Sequence, residues 1–291
     1  ATPERPRATP AARAAAAAAN VDLAGVSGSG PRGRVQAADV AAVAAVRAPA
    51  PVVASPTAEA AFTTLPFAGM RKTIALRLQR SAQDAPHVTF DADVDATALE
   101  ALRARANAGV ADKAARVSVT AVLVQACAWA LARNPRINSQ LDVAAGQIKL
   151  MREANIGVAI ALEDGLIVPV IANAGGKGLR ALATELADLN ARAKTNKLKP
   201  QELSGGTFTI SNLGMYGIDR FTAIINPPES AILAVGRTNT VFVPDGEGRP
   251  VARPVMTLRL SADHRVIDGA VAARFMKDLR EALERPESML I

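Results

Sequence analysis

Ser261-Ala262-Asp263-His264-Arg265-Val266-Ile267-Asp268-Gly269 is the stretch on which the reading of this chain turns. Residues 254–261 before and into it, Pro-Val-Met-Thr-Leu-Arg-Leu-Ser, alternate in polarity, the period of a half-buried strand. Residues 270–283 after it carry apolar side chains at helical spacing. The stretch therefore joins a strand to an amphipathic helix. One of the chain's two histidines sits in the junction, with two aspartates, an arginine and a turn glycine beside it. That is a site-like arrangement.

Upstream lies a second informative stretch, Gly205-Gly206-Thr207-Phe208-Thr209-Ile210-Ser211-Asn212-Leu213-Gly214-Met215-Tyr216-Gly217. Residues 207–211 read as a strand that runs into a glycine-marked turn. Asn226-Pro227-Pro228-Glu229-Ser230 is a proline-punctuated turn into an apolar strand, and Asp245-Gly246-Glu247-Gly248 marks a hairpin. Helices are predicted over 69–83, 96–107, 118–134 and 178–195, and strands over 86–94, 155–162 and 166–171. Ile74, Leu76 and Leu78 are expected to be mostly buried, and Cys127 and Trp129 to lie in the core. Strands and helices alternate irregularly, which predicts an α/β layered domain with a mixed sheet over residues 63–291.

The beginning of the chain reads differently. Residues 1–8 are polar and proline-rich, and are expected to be a disordered lead. Thr9 can cap a helix and Pro10 suits its first turn, so a helix is predicted from Pro10 to Ala19 and a second over 36–46. Between them, Gly28-Ser29-Gly30-Pro31-Arg32-Gly33 matches G-x-G-x-x-G. A dinucleotide site would need a buried strand before it and a helix opening at the glycines. Neither is read here, so the segment is a tight loop in a small all-helical domain over 9–46. Residues 47–62 hold Pro49, Pro51 and Pro56 among alanines and form an extended linker.

Composition narrows the function. The net charge is +7 and the pI near 10.1, but the basic residues are scattered and aromatics make up 3% of the chain, too few for base stacking. No nucleic-acid partner is expected. Cys127 is the single cysteine, which excludes an internal disulfide and fits a reducing compartment. No apolar run approaches the ~18 residues of a membrane-spanning helix, so no membrane partner is expected.

His264 is the best general base available, because an imidazole with a pKa near ~6.5 can take a proton at neutral pH. A metal site is not expected, since no cysteine or carboxylate lies at ligand spacing from a histidine pair. Serine nucleophile chemistry lacks a G-x-S-x-G elbow. What remains is a base acting on a substrate's own nucleophile, and a thiol, with a pKa of about 8.5, is the best match. Thioester exchange would create an oxyanion that needs a hydrogen-bond donor. Ser211, at the end of its strand, is a credible donor, although taken by itself it reads as satisfying local backbone. Asp268, four residues after His264, could orient nearby groups, pair with an arginine to hold the turn, or cap the following helix.

Two resemblances sharpen this reading. Thr9-Pro10-Ala11-Ala12-Arg13, Val21-Asp22-Leu23, Val26 to Gly30 and Gly33-Arg34-Val35 leading to Asp39-Val40 resemble the peripheral subunit-binding domain of 2-oxo acid dehydrogenase acyltransferases. Asp263 to Gly269 resembles the D-H-R-x-x-D-G signature of the same family's catalytic domain, and Gly205 to Gly217 its G-G-T-F-T-I-S-N-L-G-x-x-G segment. The resemblance implies a chloramphenicol-acetyltransferase-like fold and trimers with active sites between subunits, building a larger core. It implies His264 as base towards a thiol of coenzyme A or dihydrolipoamide, Ser211 as oxyanion donor, and Asp268 as the aspartate of the signature. Arg13 and Arg34 fall where the family binds dihydrolipoamide dehydrogenase or the 2-oxo acid decarboxylase. Coenzyme A is then a substrate, and the acyl group, most like acetyl, arrives on a lipoyl group whose domain is not expected within these residues. A bacterial cytoplasm or a mitochondrial matrix is the implied compartment.

Overall fold

A threonine and a proline start the first helix. In the computed structural model, which describes residues 6–47, 62–162 and 165–290, the Thr9 hydroxyl accepts the Ala12 N–H at 3.2 Å. Helix α1 then runs Pro10–Ala19 and stops at Asn20, which takes a left-handed backbone conformation. Helix α2 is Ala37–Arg47. The chain divides into two compact units, Ala1–Leu65 and Pro66–Ile291. In the first, the core is only Ala12, Ala16, Val21, Val26, Val35 and Val40 with a few neighbours. So small a core leaves little energy to spare, and the loop between the helices is held by polar contacts as well.

Asp39 makes those contacts, accepting the backbone N–H of Gln36 at 2.8 Å and of Ser29 at 3.0 Å. Gly28 lets the loop fold back on itself: a Cβ there would lie 2.5 Å from the backbone of Gly33 and Arg34. The G-x-G-x-x-G match is thus explained by close backbone packing. Arg7 and Ala8, read as part of a disordered lead, are instead paired. The Arg7 carbonyl accepts the Val35 N–H at 2.8 Å, and Ala8 bridges Val35. The predicted linker falls, apart from its ends, outside the described residues.

The second unit opens with helix α3 (Gly69–Asp84), strand β1 (His87–Asp95), α4 (Thr97–Asn107) and α5 (Val119–Arg133). Short strands follow: β2 (Ser139–Asp142), β3 (Gln147–Leu150), β4 (Ile156–Val158), β5 (Ile160–Leu162), β6 (Gly165–Ile167) and β7 (Val170–Ile171). Helix α6 (Leu179–Lys194), β8 (Phe208–Asn212), β9 (Ala231–Pro244), β10 (Pro250–Asp263) and α7 (Gly269–Glu284) complete it. The main sheet has the order β1-β10-β9-β8-β4-β7. Strand β8 runs parallel to both β4 and β9, and the other pairs are antiparallel, so the sheet is mixed, as the sequence implies.

Helix α5 is apolar along nearly its whole length and buries Val122, Leu123, Val124, Cys127 and Leu131 completely or nearly so. A helix with no polar face belongs in the interior. Helix α7 is amphipathic and puts Phe275 and Leu279 into the same core, where the Phe275 and Phe208 rings lie 5.6 Å apart. Trp129 is only partly buried, with the Arg133 guanidinium over its ring at 4.5 Å.

Three features differ from the sequence reading. The apolar run 155–162 is two strands, because Val158 N–H bonds to the carbonyl of Pro169 and Ala159 N–H to that of Ile210. Pro169 offers no N–H in return, so the ladder ends and β5 pairs separately with β6. Strands β9 and β10 are continuous over 14 residues each, with a register shift between Met256 and Leu258, where several shorter pieces are expected. Helix α3 buries only Ser81, and Leu76 is 57% exposed, so its apolar side is not covered by the described residues.

Candidate active site

The turn after β10 is built by one carboxylate. Asp263 is 4% exposed, and its Oδ1 accepts the Arg265 N–H and Nε, both at 3.0 Å, while Oδ2 accepts Nη2 at 2.7 Å. Its carbonyl accepts the N–H groups of Val266 and Ile267, and Val266 and Ile267 are buried beneath. Between these anchors His264 donates its backbone N–H to the Pro86 carbonyl at 2.9 Å and turns its side chain out to solvent. The imidazole has no hydrogen-bond partner among the described residues. An exposed imidazole on a pinned backbone can take a proton from a group brought to it.

The other histidine is not available for such work. His87 holds its Nδ1 2.7 Å from the Ala85 carbonyl, and its Nε2 accepts the Ile225 N–H at 3.1 Å. A carbonyl can only accept and an amide N–H only donate, so the ring is neutral with its proton on Nδ1. Asp268 is the N-cap of α7, its Oδ1 accepting the Val271 N–H at 3.0 Å. Of the roles open from the sequence, capping is the one the geometry displays, and it fixes the far end of the His264 turn.

Ser211 lies near the end of β8, half-buried, and lines a cavity of about 370 Å³ with Ser118, Thr120, Asn212, Met215 and Tyr216. Its hydroxyl makes no hydrogen bond among the described residues, so it is free to donate into that cavity. The next residue shapes the turn: Asn212 Oδ1 accepts the Gly214 N–H at 2.9 Å.

Register keeps His264 and Ser211 apart. Ser211 is level with Ala234 on β9, and Ala234 with Arg259 on β10. His264 lies five residues further along, which is on the order of 15 Å in the strand direction, with two strand spacings across besides. Within one chain these two side chains cannot meet. Near the histidine turn is a separate cleft of about 930 Å³, whose walls include Leu76, Arg77, Glu229, Asp263 and Arg265.

Glu229 is the group that the sequence reading passed over. It is 6% exposed, and burial pushes its carboxyl up to about 7 against the opposing hydrogen bonds from Thr209 and Asn226 and the nearby charge of Arg77. The signal was present in the sequence as an acid placed directly before a buried apolar strand. Cys127, by contrast, is enclosed in α5, where burial pushes its thiol far above the ordinary range, and it is no candidate nucleophile. In the first unit, Arg13 and Arg34 are both exposed. Arg13 Nη2 donates to the Pro6 carbonyl at 3.0 Å, and Arg34 is held through its backbone by Gly30.

Known proteins resemble this chain in sequence and fold. Residues 59–291 match the model of the 2-oxoacid dehydrogenases acyltransferase catalytic domain, and residues 6–41 that of the e3 binding domain. The chain is 40% identical, over 99% of its length, to the dihydrolipoyllysine-residue acetyltransferase component of the mitochondrial pyruvate dehydrogenase complex of Caenorhabditis elegans. It spans between 57% and 66% of the lengths of three such relatives. The structure of the cubic core of the pyruvate dehydrogenase multienzyme complex superposes with a TM-score of 0.76 at 38% identity, covering 79% of this chain and 94% of that one. A structure of Azotobacter vinelandii dihydrolipoamide acetyltransferase, solved to define the roles of a serine, a histidine and an asparagine in its catalytic mechanism, also gives 0.76, at 37% identity and the same coverage.

Proposed function

The chain belongs to the 2-oxoacid dehydrogenase acyltransferase family, and from that premise we propose that it transfers an acetyl group from a dihydrolipoyl thioester to coenzyme A. His264 is the base. It takes the proton of the coenzyme A thiol, and the thiolate adds to the thioester carbonyl carbon. The Ser211 hydroxyl donates to the resulting oxyanion. Collapse breaks the bond to the lipoyl sulfur, which leaves as a thiol with the proton returned by the imidazole. Asp268 supports the base from its position as helix cap. In the Azotobacter vinelandii enzyme the named asparagine follows the named histidine by four residues, the spacing of Asp268 from His264, and its serine lies about fifty residues before.

The observation that carries this reading is the separation of two unengaged groups. His264 and Ser211 are each free to act, and the sheet holds them too far apart to act together. A site completed by a second copy, with His264 from one subunit and Ser211 from its neighbour, resolves both facts. A homotrimer that builds into a larger core is the proposed assembly. The small helical unit, with Arg13 and Arg34 exposed, docks dihydrolipoamide dehydrogenase or the 2-oxo acid decarboxylase, in a bacterial cytoplasm or mitochondrial matrix. The decisive experiment is acetyl transfer between acetyl-coenzyme A and dihydrolipoamide. His264→Ala is expected to abolish it while sedimentation shows assembly intact, and undiminished turnover in that variant would remove the assignment. A panel of acyl donors separates acetyl from succinyl and branched-chain transfer.

A further inference from the structure

One buried carboxyl is bonded to the strand of Ser211, and the residue after it is bonded to the turn of His264. Glu229 Oε2 accepts the Thr209 hydroxyl at 2.6 Å, and Oε1 accepts Asn226 Nδ2 at 3.1 Å. Thr209 precedes Ser211 by two residues in β8, so their side chains leave the same face of the strand. On the other side, the carbonyl of the adjoining Ser230 accepts the Asp263 N–H at 2.9 Å, one residue before His264. The Ser230 hydroxyl also meets that of Ser139 at 3.3 Å.

The loop that carries Glu229 is held rather than slack. Its start is fixed at Ile225, whose N–H goes to His87 Nε2 and whose carbonyl accepts the Ser81 hydroxyl at 2.6 Å. Arg77 donates to the Pro227 carbonyl. Gly206 leaves room for the carboxyl, since a Cβ there would stand 2.8 Å from Oε1. A displacement of Glu229 would therefore be passed to β8 and to the His264 turn instead of being absorbed in the loop. An apolar side chain of the same size would leave Thr209 and Asn226 without their acceptor, and hydrogen-bonded groups of this kind fix geometry where apolar packing alone tolerates sliding.

We propose that Glu229 is a positioning residue that ties the strand carrying Ser211 to the turn carrying His264. In an assembly whose sites lie between subunits, those two side chains serve different sites, so one carboxyl aligns both. The kinetic consequence rests on the acyl-transfer reading, whereas the tie itself is a property of the fold.

The test uses the full chain with Glu229→Ala, Glu229→Gln and Thr209→Val. Thr209→Val keeps the shape and removes only the hydroxyl, so it serves if Glu229→Ala fails to fold. Glu229→Ala and Thr209→Val are expected to lower kcat by about 10- to 100-fold, the cost of a displacement near 1 Å, with KM for both thiol substrates within about twofold. Glu229→Gln is expected to restore most of kcat, because its amide can accept from Asn226 and donate to Thr209. Hydrogen exchange at the Asp263 amide is expected to quicken about tenfold or more in Glu229→Ala and Thr209→Val and not in Glu229→Gln. Unchanged exchange at Asp263 in Thr209→Val would overturn the tie. So would a Gln variant as impaired as Ala, whereas a merely space-filling role predicts that Thr209→Val behaves as wild type. A wild-type protein without acyl transfer would instead remove the functional reading, and exchange at Asp263 would still decide the tie.

Discussion

A site shared between subunits can be tested by mixing two dead enzymes. His264→Ala removes the base and leaves Ser211, and Ser211→Ala does the reverse. Coexpressed in equal amounts with different tags, the two chains should form mixed rings. Each site joins one chain's His264 to the next chain's Ser211, so it is whole only where a Ser211→Ala chain supplies the histidine and a His264→Ala chain the serine. Random assembly makes that about one junction in four in a cyclic ring. The mixture should then regain about a quarter of wild-type kcat per site. Loss of an oxyanion donor alone costs about 100- to 1000-fold, so the recovery would stand far above either parent. The expectation rests on the strand register, in which β9 places Ser211 level with Arg259, five residues short of His264. Activity of the mixture equal to the mean of the parents, with mixed assemblies verified by sequential tag capture, would refute the shared site.

Three further outcomes follow from the packing. Glu229 ionises at about 7 in the fold against 4.5 in the open chain, a cost to the ionised folded state of about 3 kcal/mol. The folded state binds the extra proton, so this cost is absent below 4.5, grows with pH and is complete above 7. Denaturant unfolding followed by Trp129 fluorescence should show Glu229→Gln gaining on wild type between pH 5 and 8, whereas parallel stability curves would contradict the burial argument. Gly236 has the Asp219 carbonyl 1.9 Å from where a Cβ would stand, so Gly236→Ala should displace backbone in β9 and cost about 1–3 kcal/mol, read as a lowered unfolding midpoint. Asp39 is held below the usual carboxylate range by backbone N–H bonds, first from Gln36 and then from Ser29. Its support is present above the ordinary carboxylate pKa and lost as pH falls through the depressed one. Hydrogen exchange over 28–36 should therefore quicken in acid below about pH 4 in wild type, and at all pH values in Asp39→Asn.

Much of this architecture was legible because local chemistry and tertiary structure agree. Thr9-Pro10 starts a helix, and α5 is read as interior from its unbroken apolar surface. Ser211 and His264 each lie at a strand end, as the alternating runs before them indicate. The failures have a common cause, which is that periodicity says nothing about partners. Nothing in residues 155–162 reveals that Pro169 will face Val158 and end the ladder. Helix α3 looks like a core helix because its apolar spacing is the same whether its own chain or another covers it. Glu229 reads as one residue of a turn, but its weight comes from Thr209, twenty residues away in sequence and 2.6 Å away in space.

The uncovered apolar side chains bear on the same question as the separation of His264 and Ser211. Leu76 lines the cleft beside the His264 turn and is 57% exposed. Met215 and Tyr216 line the Ser211 cavity and are 78% and 62% exposed. A soluble chain scatters a few such residues without consequence, but here large apolar side chains stand open at both half-sites. If each half-site closed on itself, these side chains would have no reason to border it. If a second copy brings its Ser211 cavity against the His264 turn, the association that buries Leu76, Met215 and Tyr216 is the event that assembles base and oxyanion donor. Stability and chemistry then depend on one surface, and substitutions of Leu76 or Tyr216 by Asp should lose assembly and turnover together. Turnover retained by dissociated subunits would separate the two and sever that link.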